Sequence, residues 1–136
     1  MKGSYILVVY ISKNTYIEIG ALGNILFREG YYLYIGSAMG NSGSSTLNNR
    51  IMRHLSFLNK KLHWHIDYLL NNPFSIFYRL YLIPTNQNYE CTIAKEILKI
   101  SEGFIQDFGS SDCKCKSHLF YFKDFKGLDK LPLKIE

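Results

Sequence analysis

The sequence contains no long hydrophobic segment. None of its apolar runs approaches the roughly 20 residues that a membrane-spanning helix requires. The apolar run at 6–11 is too short for the hydrophobic region of a signal peptide, and no small-residue cleavage site follows it. With 136 residues, of which 47% are hydrophobic, we expect one domain over residues 1–136, located in the cytoplasm and without a membrane partner.

Cysteine is also scarce. The chain has three cysteines, an odd number, and Cys113 and Cys115 are too close along the chain to pair comfortably with each other. A secreted fold held together by several disulfides is therefore disfavoured. The sequence has no internal repeat, low-complexity segment or interdomain linker.

Acidic residues are missing from one stretch near the middle of the chain. Between Glu29 and Asp67 there is no carboxylate, although the chain carries a modest net charge of +5. Such a balance predicts a surface that meets an anion, and a nucleic-acid phosphate is the first candidate. A solvated basic helix face is the alternative for the two arginines. The basic residues and histidines of this stretch are Arg50, Arg53, His54, Lys60, Lys61, His63 and His65.

The periodicity of the apolar residues predicts several strands. Residues 5–11 are almost continuously apolar, which is typical of an interior strand, and residues 16–19 would form the returning arm of a hairpin. Aromatic and β-branched residues predict further strands at 30–36 and 74–83. Residues 119–122 would form an edge strand. The segments between the first of these strands are short turns, and short turns predict an antiparallel sheet.

Two segments show helical spacing. Leu47, Ile51, Leu55 and Leu58 recur at three- and four-residue intervals after Thr46, a suitable N-cap, and residues 89–101 form a second amphipathic pattern. A shorter element is expected at 62–70. The sequence thus predicts an α/β protein of the α+β kind, with a small central antiparallel sheet flanked by helices and a peripheral tail at 123–136.

Five motifs occur in a characteristic order. Gly-Tyr-Tyr-Leu-Tyr-Ile-Gly-Ser-Ala lies at 30–38, Arg-Ile-Met-Arg-His at 50–54, and His-Trp-His-Ile-Asp-Tyr-Leu at 63–69. Glu-Cys follows at 90–91, and Phe-Gly-Ser-Ser-Asp-Cys-x-Cys-x-Ser-His-Leu at 108–119. This set resembles the GIY-YIG nuclease superfamily, and more closely its uncharacterised DUF123-like branch, which is sometimes attached to DNA-repair glycosylases. The Gly-Ile-Tyr motif of that superfamily, which precedes these five, reads Gly3-Ser-Tyr5 in this chain.

The resemblance implies a three-stranded antiparallel sheet and a phosphodiester-cleaving site with one divalent metal ion. Such cleavage needs an activated water, a cation at the phosphate and help for the leaving oxygen. Tyr34, with Tyr5, would activate the water, and Arg50 would hold the phosphate through its planar fork. His54, one helical turn further on, would relay a proton. Glu90 would ligate Mg²⁺ or Mn²⁺.

Each of these residues also has a purely structural interpretation. Eleven tyrosines are present, so a given tyrosine more often packs than reacts, and Glu90 in a first helical turn also suits the helix dipole. His63-x-His65-x-Asp67 predicts a hydrogen-bonded cluster at the edge of the site, in which Asp67 could orient one imidazole. The functional alternative for the two histidines is contact with nucleic acid. The predicted nucleic-acid contacts are Ser37, Arg53, Lys60, Lys61, His63 and His65.

A second group combines three thiols with an imidazole. Cys113-x-Cys115-x-x-His118 offers three soft ligands over a tight turn, and Cys91 could complete a tetrahedral Zn²⁺ site. A disulfide from Cys91 to Cys113 or Cys115 is an alternative. Ordinary buried thiols are another.

These observations predict a metal-dependent endonuclease that hydrolyses phosphodiester bonds in nucleic acid, DNA more than RNA, during repair or processing of branched or damaged DNA. The partners would be the nucleic acid and a DNA-repair protein. The alternatives are a non-catalytic nucleic-acid-binding or repair-partner module with a basic face, and a zinc-stabilised interaction domain.

Overall fold

The computed structural model describes residues 1–41, 43, 46–56, 62–110 and 113–127, and these residues form seven strands and three α-helices. The strands are β1 (Gly3–Ile11), β2 (Thr15–Glu18), β3 (Asn24–Phe27), β4 (Gly30–Ala38), β5 (Ser75–Pro84), β6 (Gly103–Phe104) and β7 (Leu119–Phe122). The helices are α1 (Leu47–Leu55), α2 (His65–Leu70) and α3 (Glu90–Ile100).

Five of the strands form one antiparallel sheet in the order β5-β1-β4-β7-β6. The predicted fold class, an antiparallel sheet flanked by helices, is confirmed. The sheet is larger than the three strands that the resemblance implied. β1 lies between β5 and β4, as its nearly continuous apolar sequence predicted, because an interior strand is covered on both faces.

Two strand assignments were wrong in their pairing. The arm expected to return along β1 is β2, which pairs with β3 in a separate two-stranded sheet. Both edges of β1 are already hydrogen-bonded to β4 and β5, so β1 has no free edge to offer. β7 was expected at an edge but lies between β4 and β6, and all four of its residues are buried.

The helices agree with the sequence pattern except at the end of α1. Thr46 is the N-cap and accepts a hydrogen bond from the Asn49 N–H at 3.3 Å, as predicted. α1 ends at Leu55, which is exposed and therefore lies off the expected core face. Three of the predicted residues, one of the core face and two nucleic-acid contacts, lie outside the described residues: Leu58, Lys60 and Lys61.

The sheet has two covered faces, because successive residues of a strand point to opposite sides. The α1–α2 face is formed by residues of the sheet that pack with the first two helices, and the α3 face by those that pack with the third. Phe125 joins the α3 face, so the start of the predicted peripheral tail belongs to the core. Buried residues of the α1–α2 face include Tyr5, Leu7, Val9, Tyr32, Tyr34, Leu47, Ile66 and Leu69; those of the α3 face include Ile6, Val8, Leu33, Ile35, Ile93 and Ile97.

Candidate active site and metal centre

A cleft of about 250 Å³ opens beside the end of the sheet where β1 begins and β4 ends. Four of the five predicted catalytic residues line it, although they are distant along the chain: Tyr5, Tyr34, Arg50 and Glu90. The remaining wall consists of Ser37, His63, Trp64, His65 and Gly109. The cleft therefore contains phenols, a guanidinium, imidazoles and a carboxylate in one space.

Strand register brings the two tyrosines together. Tyr34 lies opposite Leu7 and Gly36 lies opposite Tyr5, so both phenols project from the α1–α2 face. Their ring centroids are 6.3 Å apart. A methyl group at Gly36 would overlap the Tyr5 ring, so glycine is required here for close approach. The absence of a side chain at Gly36 thus leaves space for the ring of Tyr5.

His54 lies behind Tyr5, away from the lining of the cleft. The Tyr5 hydroxyl and His54 Nε2 are 2.6 Å apart, and the two residues are only 1% and 4% exposed. Burial raises the pKa of the Tyr5 hydroxyl well above its usual value, Tyr34 raises it further, and Arg50 acts in the opposite direction. The resting group is therefore a neutral phenol, and it donates to Nε2 when the imidazole carries its proton on Nδ1.

Arg50 is held from two sides. Its Nη1 donates to the Ser37 carbonyl at 3.0 Å, and its guanidinium carbon lies 4.7 Å from the centroid of the Trp64 ring. Its Nε is buried and has no hydrogen-bond partner among the described residues. These contacts fix the orientation of the guanidinium, and its other N–H groups remain able to donate to an anion in the cleft. A buried N–H without an acceptor costs free energy.

Glu90 is the first residue of α3 and brings the carboxylate into the cleft. Its Oε2 accepts from the Ser37 hydroxyl at 3.2 Å, and its Oε1 lies 3.3 Å from His118 Nδ1. The carboxylate lies in the first turn of α3, at the positive end of the helix dipole, as the structural interpretation expected. Each carboxylate oxygen has two lone pairs, so the group retains capacity for a cation.

Asp67 organises the segment that carries the histidines. One of its oxygens accepts from the backbone N–H groups of His63 and Trp64, both at 2.9 Å, and from Arg53 Nη2 at 2.7 Å. Among the described residues, the groups bonded to Asp67 are these backbone N–H groups and this guanidinium, and no imidazole is among them. Arg53 also stacks on Trp64 and does not line the described cleft.

Both histidines of this segment line the cleft, as does Ser37. His65 Nδ1 accepts a hydrogen bond from the Gly109 N–H at 2.8 Å, which joins α2 to the loop before β7. Burial lowers the pKa of His65, and Asp107 opposes that effect. An accepting Nδ1 requires the unprotonated ring, so the hydrogen bond and the lowered pKa agree.

Two residues of the cleft were not singled out from the sequence. Trp64 supplies the ring on which Arg50 lies, and Gly109 supplies a backbone donor with φ of 69°. The sequence does mark Trp64, which is the chain's single tryptophan and stands between two histidines. Neither of these two features of Trp64 predicts its contact with Arg50, which lies many positions away in the chain.

Beside the cleft, three thiols and an imidazole meet. The ligand atoms of Cys91, Cys113, Cys115 and His118 all lie within 4.8 Å of one another, and this cluster could bind a metal ion. All three cysteines are free thiols, so the structure does not contain the alternative disulfide. Burial raises the pKa of Cys91, and burial together with hydrogen bonds from the neighbouring thiols raises that of Cys115 to about 12.

The fold and the site define a small α+β protein with a polar cleft on one side of its sheet and a cysteine–histidine cluster beside it. The model of the family described as domain of unknown function DUF123 matches residues 4–134, and the chain belongs to that family. No curated protein and no solved structure shows significant similarity to the chain. In the part of the chain that the structure describes, no helix has both the length and the apolarity to cross a membrane.

Proposed function

We propose that this domain hydrolyses phosphodiester bonds in nucleic acid, DNA in preference to RNA, at the described cleft. The observation that carries the proposal is the convergence of Tyr5, Tyr34, Arg50 and Glu90 on one space of about 250 Å³. These residues supply the group types that water attack on a phosphodiester needs. The resemblance to GIY-YIG nucleases supports the same conclusion.

Arg50 would bind the scissile phosphate. Its bond to the Ser37 carbonyl and its stacking on Trp64 orient the guanidinium before substrate arrives, and the buried Nε still lacks a partner among the described residues. A preorganised cation stabilises the charge that accumulates on the non-bridging oxygens in the transition state. Loss of such a donor typically lowers the rate by about 10²–10³-fold.

Tyr5 and His54 would move the proton of the attacking water. As the water oxygen attacks phosphorus, its proton passes to the Tyr5 oxygen, and the phenol proton passes to His54 Nε2 across the 2.6 Å contact. A concerted transfer avoids a free phenolate, which burial of Tyr5 disfavours. Tyr34 shares the cleft and would orient the water, and the leaving oxygen takes its proton from solvent.

Glu90 would hold a divalent cation. A single carboxylate that keeps free lone pairs beside an open cleft suits Mg²⁺ or Mn²⁺, which retain several waters. When bound, such an ion supplies charge stabilisation at the phosphate and at the leaving oxygen. The Ser37 hydroxyl donates to one carboxylate oxygen and His118 Nδ1 lies 3.3 Å from the other, and these two neighbours would orient the group toward the cleft.

One observation favours a binding module without turnover. The raised pKa of Tyr5 keeps its hydroxyl protonated in the resting protein, so almost no phenolate is present to act as the base. A domain that keeps Arg50 and the cleft histidines but lacks turnover would bind nucleic acid in a salt-sensitive manner and leave it intact. Both functions use the same basic surface to bind nucleic acid, and they differ in whether the bound nucleic acid is cleaved.

The test is a cleavage screen over flaps, junctions, nicked duplexes and single strands, in DNA and RNA, with Mg²⁺, Mn²⁺ or a chelator. Arg50→Ala and Glu90→Gln should abolish cleavage while circular dichroism shows an intact fold. Glu96→Gln, in the same helix, changes a carboxylate that pairs with Lys99 and should retain full activity.

Equal cleavage by all three variants would overturn the assignment of the cleft. Salt-sensitive binding without product from any substrate would replace hydrolysis by the binding module.

A further inference from the structure

We propose that Cys91, Cys113, Cys115 and His118 bind one zinc ion in tetrahedral coordination. The four ligand atoms already lie within 4.8 Å of one another. With Zn–S about 2.3 Å and Zn–N about 2.0 Å, a tetrahedral site separates sulfur and nitrogen by about 3.5 Å. Cys113 Sγ and His118 Nε2 are 3.5 Å apart, which is the spacing that such an ion imposes.

The donor set indicates which metal the site takes. Three thiolates and one imidazole match the closed Cys₃His class of structural zinc sites, whereas Mg²⁺ and Ca²⁺ prefer oxygen ligands. The cysteines are half-buried and His118 is 1% exposed, so protein atoms enclose much of the site. All four ligands come from protein side chains, which leaves no coordination position for a substrate.

The orientation of His118 provides an independent argument. Nε2 faces Cys113, and Nδ1 lies 3.3 Å from Glu90 Oε1. A metal-bound histidine usually directs its other ring nitrogen to a carboxylate or carbonyl, which fixes the tautomer and increases ligand basicity. With the proton on Nδ1 and Glu90 as its neighbour, the Nε2 lone pair is directed at the thiols.

Disulfide formation explains the cluster less well. A bridge between two of the cysteines would leave the third thiol and the buried imidazole without a common role, whereas zinc uses all four groups. The ion would also join the start of α3, through Cys91, to the segment before β7. That segment carries His118, so the zinc centre holds the imidazole that contacts Glu90 in the cleft.

The first experiment measures the metal of the full chain purified under reducing conditions without chelators. We expect about one zinc per chain by mass spectrometry, and X-ray absorption showing three sulfurs at about 2.3 Å and one nitrogen at about 2.0 Å. Cobalt added to the metal-free, reduced protein should give intense tetrahedral d–d bands and thiolate charge transfer. Coordination by oxygen and nitrogen alone, absence of both zinc and cobalt binding, or an intact mass showing a disulfide would each overturn the proposal.

Variants then test the individual ligands. Cys115→Ser should lose the zinc, and Lys114→Ala, which changes the exposed residue between two ligands, should keep it. Glu90→Gln should weaken zinc affinity by about 10–100-fold in chelator competition, the usual effect of altering a carboxylate behind a metal-bound histidine. Unchanged affinity in Cys115→Ser would contradict the ligand set, and unchanged affinity in Glu90→Gln would contradict the link between His118 and the cleft. No nucleic acid is used, so these results are independent of the cleavage screen.

Discussion

The two faces of the sheet are built from the same strands but have different contents. The α3 face is lined by aliphatic and aromatic side chains of β1 and β4 packed against Ile93, Ala94 and Ile97. The α1–α2 face, from alternate positions of those strands, also encloses Tyr5, Tyr34, His54 and Asp67. Apolar burial stabilises the α3 face directly, whereas buried polar groups are costly unless they are paired.

The buried polar groups lower the free energy of unfolding that the α1–α2 face could otherwise contribute. A neutral phenol against an imidazole, and a buried carboxylate against a guanidinium, are arrangements that an apolar core would replace at little cost. They occur beside the cleft, and buried titratable groups cluster at functional sites. We therefore expect the proposed chemistry on the α1–α2 face, whereas the α3 face contributes to stability mainly through apolar burial.

The largest expected effect is a difference in cleavage rate between variants of two buried tyrosines of the α1–α2 face. Tyr5→Phe removes the hydroxyl beside His54 and should lower the cleavage rate by about 10²–10⁴-fold, because the proton path is lost. Tyr32→Phe removes the hydroxyl of a similarly buried tyrosine, which donates to the Arg28 carbonyl, and should retain activity. Each substitution should lower the free energy of unfolding by only about 1 kcal/mol, measured in urea. Similar rates for both variants would remove Tyr5 from the mechanism.

The next effect concerns the buried carboxylate. Asp67→Ala removes the ion pair with Arg53, leaves two backbone N–H groups without their acceptor, and should lower the free energy of unfolding by about 3–5 kcal/mol. Asp124→Ala, at an exposed position, should change it by less than about 0.5 kcal/mol. Urea denaturation of both variants measures the difference. Comparable midpoints would show that the polar side of the core contributes no more than the surface.

A smaller effect is expected from a single methyl group. Gly36→Ala places Cβ inside the Tyr5 ring and should lower stability by about 1–3 kcal/mol through overpacking, with loss of cleavage as Tyr5 is displaced. Gly103→Ala is the control, since its Cβ would come no closer than 3.4 Å to Arg28 Nη2. Thermal unfolding and cleavage rates distinguish the two. Full activity in Gly36→Ala would mean that the position of Tyr5 is unimportant.

The smallest effect is a pH dependence of stability. Burial lowers the pKa of His65 in the folded state, so below its ordinary value of about 6.5 the unfolded chain binds more protons than the folded chain. Stability should therefore decrease as the pH falls from about 6.5 through the folded pKa, and the bond from Gly109 should be lost.

His65→Ala should reduce this dependence, and His63→Ala, at an exposed position, should leave it unchanged. Urea midpoints at several pH values across this range measure the slope. An identical slope in His65→Ala and the parent protein would assign the effect to other groups.

Sequence reasoning was most successful where one local pattern has one structural solution. The apolar run of β1, the aromatic run of β4, the Thr46 cap and the periodicity of α3 each specify an element without reference to the rest of the chain. It failed where partners compete. The pairing of β2 with β3, and the interior place of β7, depend on which strand edges remain available.

The candidate site follows the same division. Residue types at motif positions identified Tyr34, Arg50 and Glu90, and the spacing of Arg50 and His54 placed them on one helix. The contact of His54 with Tyr5, the stacking of Trp64 on Arg50 and the role of Asp67 as an acceptor for backbone groups were not predicted.

By itself, the sequence determined the class of the fold, the types of reactive group and the family to which the chain belongs. Apolar periodicity indicates the fold class, and the ordered motifs indicate the family; both are patterns of a few neighbouring residues. Only the tertiary structure decided that the carboxylate of Glu90 lies between a hydroxyl and His118, and that three cysteines separated along the chain meet that imidazole. Those contacts depend on strand register and helix packing, which the chain sets as a whole.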